Sequence, residues 1–187
     1  MLSLISFAVI LLAAQPSPAP SALTFRELVA SVPAAPPAVD GQETAAQELT
    51  VVLGSPGASA TALSAQPAAP PPGTSSLDVR QRRRAVGGFP VERHPELSEG
   101  QLVVAGLNAS GSIVSWSLTR DPRLVRAEQP GPDGVLTGRT LYRGSADLLV
   151  VLPDLAQIEQ GAIYQPVWNG ADWQLTLIGS FAIGDAR

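Results

Sequence analysis

The chain has 187 residues, with 18 prolines, 17 glycines, no cysteine and a formal net charge of −4. All 12 basic residues are arginine, and the acidic balance excludes nucleic acid as the expected partner. The lack of cysteine excludes disulfides, thiolate metal sites and cysteine nucleophiles, so folding depends on a hydrophobic core.

The N-terminal stretch MLSLISFAVILLAAQPSPAP contains an uncharged run from Leu2 to Ala14. The run is shorter than the ~20 residues a membrane-spanning helix needs. It fits the apolar region of a secretory signal peptide, with Ala13 and Ala14 as small residues behind it. Residues 1–14 are therefore expected to be a signal peptide, and the mature protein to be periplasmic or secreted with no integral membrane segment. No Lys or Arg precedes the run, and a short uncleaved anchor is the alternative.

Residues 15–75 carry the tracts QPSPAPSA, VPAAPPAV and QPAAPPPG. Such tracts favour extended polyproline conformations and lack side chains to bury. A mostly disordered Pro/Ala-rich tether is expected. Within it, TFRELVASV (Thr24–Val32) has the pattern of two helical turns, with Leu23, Leu28 and Val32 near one face. Such a helix is marginal without a partner. ELTVVLG (Glu48–Gly54) is the one credible strand of the tether, either paired with the domain downstream or idle.

VRQRRRAVGGF (Val79–Phe89) follows. Strand alternation places Arg80, Arg82 and Arg84 on one face and Val79, Gln81, Arg83 and Ala85 on the other. A charged strand at a sheet edge discourages edge-to-edge aggregation. The same face makes Arg80, Arg82 and Arg84 candidate contacts for anionic glycans or lipid headgroups. RAVGGF is also similar to the activation site of trypsin-like serine proteases, where cleavage after arginine frees a terminus that orders the oxyanion hole. That family needs a His-Asp-Ser set. The sole histidine, His94, lies too close behind, no GDSGG-type stretch exists, and too little chain follows Arg84. The protease reading is rejected, and simple nicking after Arg84 stays open.

Residues 76–187 are expected to form the folded domain. In SIVSWSL, Val114, Trp116 and Leu118 point one way, and Ser115 and Ser117 point to water. In DWQLTLIGSFAI, Trp173, Leu175 and Leu177 share a face that Phe181 and Ile183 continue. DLLVVL (Asp147–Leu152) and QLVVAGL (Gln101–Leu107) read as central strands buried on both sides. Weaker candidates are Leu124–Glu128, Leu136–Arg143 and Ala162–Val167. Turn signals at NASGS (Asn108–Ser112), PGPDG (Pro130–Gly134) and NGAD (Asn169–Asp172) separate them. The expected fold class is all-β, an antiparallel sandwich.

The layout resembles an immunoglobulin-like or fibronectin-like domain, with Trp116 where a core tryptophan of the third strand falls. Tyr164, preceded by EQGAI, resembles the tyrosine corner. The resemblance implies a buried Trp116 and a Tyr164 hydroxyl bonded to upstream backbone. It names an architecture and no family.

Chemistry is sparse. His94, followed by Pro95, reads as an exposed loop residue, and one histidine without cysteine does not make a zinc site. Asp121, Glu128, Asp133, Asp147, Asp154 and Asp172 lie near strand ends without calcium-loop spacing and read as turn carboxylates. Asn108–Ser110 matches the glycosylation sequon. No cofactor and no metal are expected. Trp116 and Trp173 are expected in the core. Trp168, beside a hairpin tip, is the aromatic expected at the surface and a candidate contact residue.

The leading expectation is a non-catalytic, exported cell-envelope accessory or protein-interaction module, with an unknown protein or an envelope glycan as partner. The alternative is a carbohydrate-binding or hydrolytic domain with its site in the sandwich loops. Trp168 beside a groove favours sugar; a flat apolar patch favours protein.

Overall fold

The computed structural model describes residues 19, 22–32, 45–54, 63–64, 76–86, 96–130 and 133–183. The signal-peptide run, His94 and much of the tether lie outside the described residues.

In chain order the elements are β1 (Ala22–Thr24), α1 (Phe25–Ser31), β2 (Ala45–Gly54), β3 (Leu63–Ser64), β4 (Val79–Val86), β5 (Gln101–Leu107), β6 (Ile113–Arg120), β7 (Leu124–Pro130), β8 (Leu136–Arg143), β9 (Ser145–Pro153), β10 (Gln160–Trp168) and β11 (Trp173–Ala182). The strands form three antiparallel sheets, ordered β1-β11-β10-β5-β6, β4-β2-β9 and β3-β8-β7. Among the described residues the protein is all-β apart from one short helix, and every weaker strand candidate is a strand.

The five-stranded sheet is buried on both faces. On one, Leu102, Val104, Ile163 and Phe181 pack against Leu49, Val51 and Leu53 of β2 and Leu148, Val150 and Leu152 of β9. Gly161 makes room for this layer, because a Cβ there overlaps the Phe181 ring. On the other face, Val103, Ala105, Trp116, Tyr164 and Leu175 are covered by Phe25 and Leu28 of α1.

The helix has a capping box, in which Thr24 Oγ1 accepts from the Glu27 amide and Glu27 Oε2 accepts from the Thr24 amide. It stops at Val32, whose extended conformation suits the residue before Pro33. Phe25 meets Trp116 edge-on at 5.5 Å, and Trp116 Nε1 donates to the Val32 carbonyl at 2.9 Å.

Several expectations are corrected here. The stretch 15–75 supplies β2, the central strand of its sheet, so part of the core comes from upstream of Ser76. DLLVVL is not buried on both sides. It is the edge strand β9, and Leu149 is 56% exposed on its outer face. Ser115 faces protein rather than water, and its buried Oγ has no hydrogen-bond partner. This follows from covering the sheet on both sides.

Phe181 and Ile183 do not continue the face of Trp173. Opposite Ile163 and Tyr164 of β10 the register slips by one, leaving Ile178 as an extra, bulged residue of β11. Trp173, Leu175 and Leu177 therefore join the layer under α1, while Ile178, Phe181 and Ile183 join the opposite one. Tyr164 lies mid-strand, fully buried, and its hydroxyl has no partner among the described residues, so the tyrosine-corner hydrogen bond is absent there.

The turns at NASGS and NGAD close as expected. Asn108 Oδ1 accepts from the Ser110 and Ser112 amides, and Asn169 Oδ1 accepts from the Ala171 and Asp172 amides.

Candidate functional site

The apolar layer under α1 does not end with the helix. Leu97 and Trp173 pack against it and also line an open groove of about 850 Å³ at the end of the five-stranded sheet. Pro166 and Trp168, the end of β10, share this lining. Trp168 is paired in register with Trp173 across the β10–β11 hairpin, and their rings meet at 62° with centroids 5.4 Å apart. Trp168 is 53% exposed.

One wall is the turn from Ser98 to Gln101. The Ser98 amide and hydroxyl both donate to Gln101 Oε1, at 2.8 and 2.9 Å, and the Gln101 amide donates back to the Ser98 carbonyl. This leaves the Gln101 side-chain NH₂ and the Glu99 carboxylate at the groove without intramolecular partners among the described residues. Gly100, at φ +84°, permits the turn.

The other wall is the base of the β7–β8 ribbon. Asp121 and Tyr142 line it. Asp121 is buried and held in a two-pronged pair by Arg123, Nε to Oδ1 at 3.0 Å and Nη2 to Oδ2 at 2.8 Å. The Asp121 amide donates to the Gly100 carbonyl, and the Arg143 amide to the Arg123 carbonyl, so the two walls are tied together. Burial, then the charges of Asp121 and Glu99, push the Tyr142 hydroxyl above its usual pKa, against the opposing pull of Arg123.

The structure does not bring the arginine run to this groove. Arg80, Arg82 and Arg84 lie on β4, at the edge of the other packed sheet. Arg82 and Arg84 alternate in register opposite Leu49 and Gln47, while the shift between Thr50 and Val51 leaves Arg80 out of that alternation. Arg80 pairs with Asp147 at 2.9 Å, Arg84 with Asp154 at 3.2 Å, and Arg83 with Glu48. Arg82 Nη2 donates to the Ala182 carbonyl at 2.8 Å. An anion at this strand competes with carboxylates already in place.

Of the binding candidates read from the sequence, Trp168 lines the groove and Arg80, Arg82 and Arg84 do not. Trp173, Tyr142 and Glu99 join it unannounced. Trp173 carries an apolar strand signal that describes its inner side, and Tyr142 and Glu99 reach the groove through tertiary contacts.

Among the described residues, no group of His, Cys, Asp or Glu is arranged to hold a metal ion, and no helix is long and apolar enough to cross a membrane. Scans of protein-family models, curated proteins and solved structures find nothing that matches this chain.

Proposed function

We propose that the protein is an exported, non-catalytic binding module whose groove takes a saccharide. The observation that carries this reading is Trp168, half exposed beside an open groove and braced by Trp173. An aromatic face stacks on the apolar face of a sugar ring, and the free Gln101 amide and Glu99 carboxylate offer hydrogen bonds for hydroxyls. A concave site with aromatic lining and a few convergent polar groups is the usual form of a small-ligand site. A nucleophile with its base is not part of this support: among the described lining residues the Ser98 hydroxyl donates to Gln101 Oε1, and Asp121 is held by Arg123.

Export is supported by the apolar run Leu2–Ala14, and a sandwich of the immunoglobulin-like or fibronectin-like kind by two antiparallel sheets packed face to face, although the buried Trp116 lies outside that layer, under α1. A protein partner is the second reading, favoured by Val135 and Leu136, exposed at the end of the β7–β8 ribbon.

Affinity electrophoresis through gels containing soluble polysaccharides tests the proposal. Retarded migration in at least one gel is expected, abolished by Trp168→Ala. Unretarded migration in neutral, basic and acidic polysaccharides alike overturns it.

A further inference from the structure

Two of the described residues that line the groove are carboxylates, and only one of them is compensated. Asp121 is matched by the buried Arg123, both members almost fully shielded from water. Glu99 is exposed on the Ser98–Gln101 turn with no partner among the described residues.

No arginine is among the described residues that line the groove, and the chain has no lysine. Arg120 stands across from Gln101 on β6 but does not line the groove, and Arg26 is drawn to Asp172 at 3.5 Å. Three aromatic residues, Trp168, Trp173 and Tyr142, also line the groove, and aromatic rings attract cations to their faces.

Resting on the saccharide reading above, we infer that the preferred ligand is an amino-sugar chain with free, positively charged amines, and that the Glu99 carboxylate receives an ammonium group. A glucosamine-type oligomer fits. Its ring face stacks on Trp168 while its amine faces Glu99. An acidic saccharide meets Glu99 with like charge, and an N-acetylated chain has no charge to offer.

The test is titration of the full chain, followed by tryptophan fluorescence, with glucosamine oligomers, N-acetylglucosamine oligomers of equal length and galacturonic acid oligomers. The glucosamine oligomer is expected to bind about fivefold tighter than its acetylated counterpart at low salt, the upper end for an exposed ion pair. That advantage shrinks at high salt. Glu99→Gln removes that advantage, so that the two oligomers bind the variant alike.

Equal binding of the free and acetylated oligomers, or tightest binding of the acidic one, overturns the amine preference while the saccharide reading stands. An amine preference that survives Glu99→Gln overturns the role of Glu99. Binding of none of the three overturns the saccharide reading itself.

Discussion

Trp168 leans on Trp173 edge-on at 5.4 Å, and Trp173 in turn rests on the apolar layer beneath α1. The exposed indole is thus held from below by a ring that belongs partly to the core. Trp168→Ala is expected to weaken saccharide binding at least tenfold, about 1.4 kcal/mol, within the range for truncating a tryptophan anchor. Folding stability is expected to change by less than about 1 kcal/mol, as for exposed positions generally. Calorimetric titration and thermal melting of the same variant separate the two effects.

Tyr164 makes the opposite kind of prediction. Its hydroxyl is buried without a partner, and burial raises its pKa above the ordinary 10.0. A raised folded-state value means the neutral form is the one the fold favours. The associated stability is complete below the unfolded pKa and is lost as pH rises above about 10. Tyr164→Phe removes the unsatisfied group, so stability at pH 7 is expected to hold or rise by about 1 kcal/mol. The variant also resists unfolding above pH 10. Urea denaturation at both pH values checks this; a tyrosine-corner hydrogen bond predicts a loss instead.

A chain that begins at Ser76 is expected not to fold. It lacks β2, whose Leu49, Val51 and Leu53 are fully buried between β4 and β9. At roughly 1.5–3 kcal/mol per buried side chain, their loss matches a large share of the 5–15 kcal/mol that holds a domain together. It also lacks α1, so Trp116 loses its cover. Near-ultraviolet circular dichroism, compared with a chain that begins at Ala22, reads the difference.

Native protein is expected to resist trypsin after Arg82, Arg83 and Arg84. These bonds lie inside β4, whose backbone is paired with β2 from Ala45–Val86 through Val51–Val79. Cleavage needs the strand to detach, and opening of this kind costs a sizeable part of the stability of a core element. Mass spectrometry of a time course in zero and moderate urea checks it. Prompt release of a fragment starting at Ala85 without denaturant restores the processing reading.

The strands of the C-terminal part were readable because their apolar residues alternate and Asn-Gly or Asn-Ala-Ser-Gly turns punctuate them. Which face each residue takes was less readable. SIVSWSL and DLLVVL show why: composition does not reveal whether a polar serine or an apolar Leu149 meets protein or solvent, since that depends on what covers the sheet. β2 and α1 were visible as local patterns, but their partners are far away in the chain. The groove was visible only through Trp168, because its walls come from a turn near Glu99, a ribbon base at Tyr142 and the β10–β11 hairpin. No local motif joins these three.

The central place of β2 also bears on how the protein acquires its structure. Gln47 of β2 and Asp154, just beyond β9, are hydrogen-bonded at 2.7 Å although 107 positions apart. The sheet they belong to closes only after most of the chain is available. Pairing over such separations is slow, because the chain loses the entropy of a large loop before the contacts repay it. The early segments therefore wait, unpaired, while the later ones are made. For a chain proposed to be exported, that delay keeps the early segments open until the rest of the chain has been made.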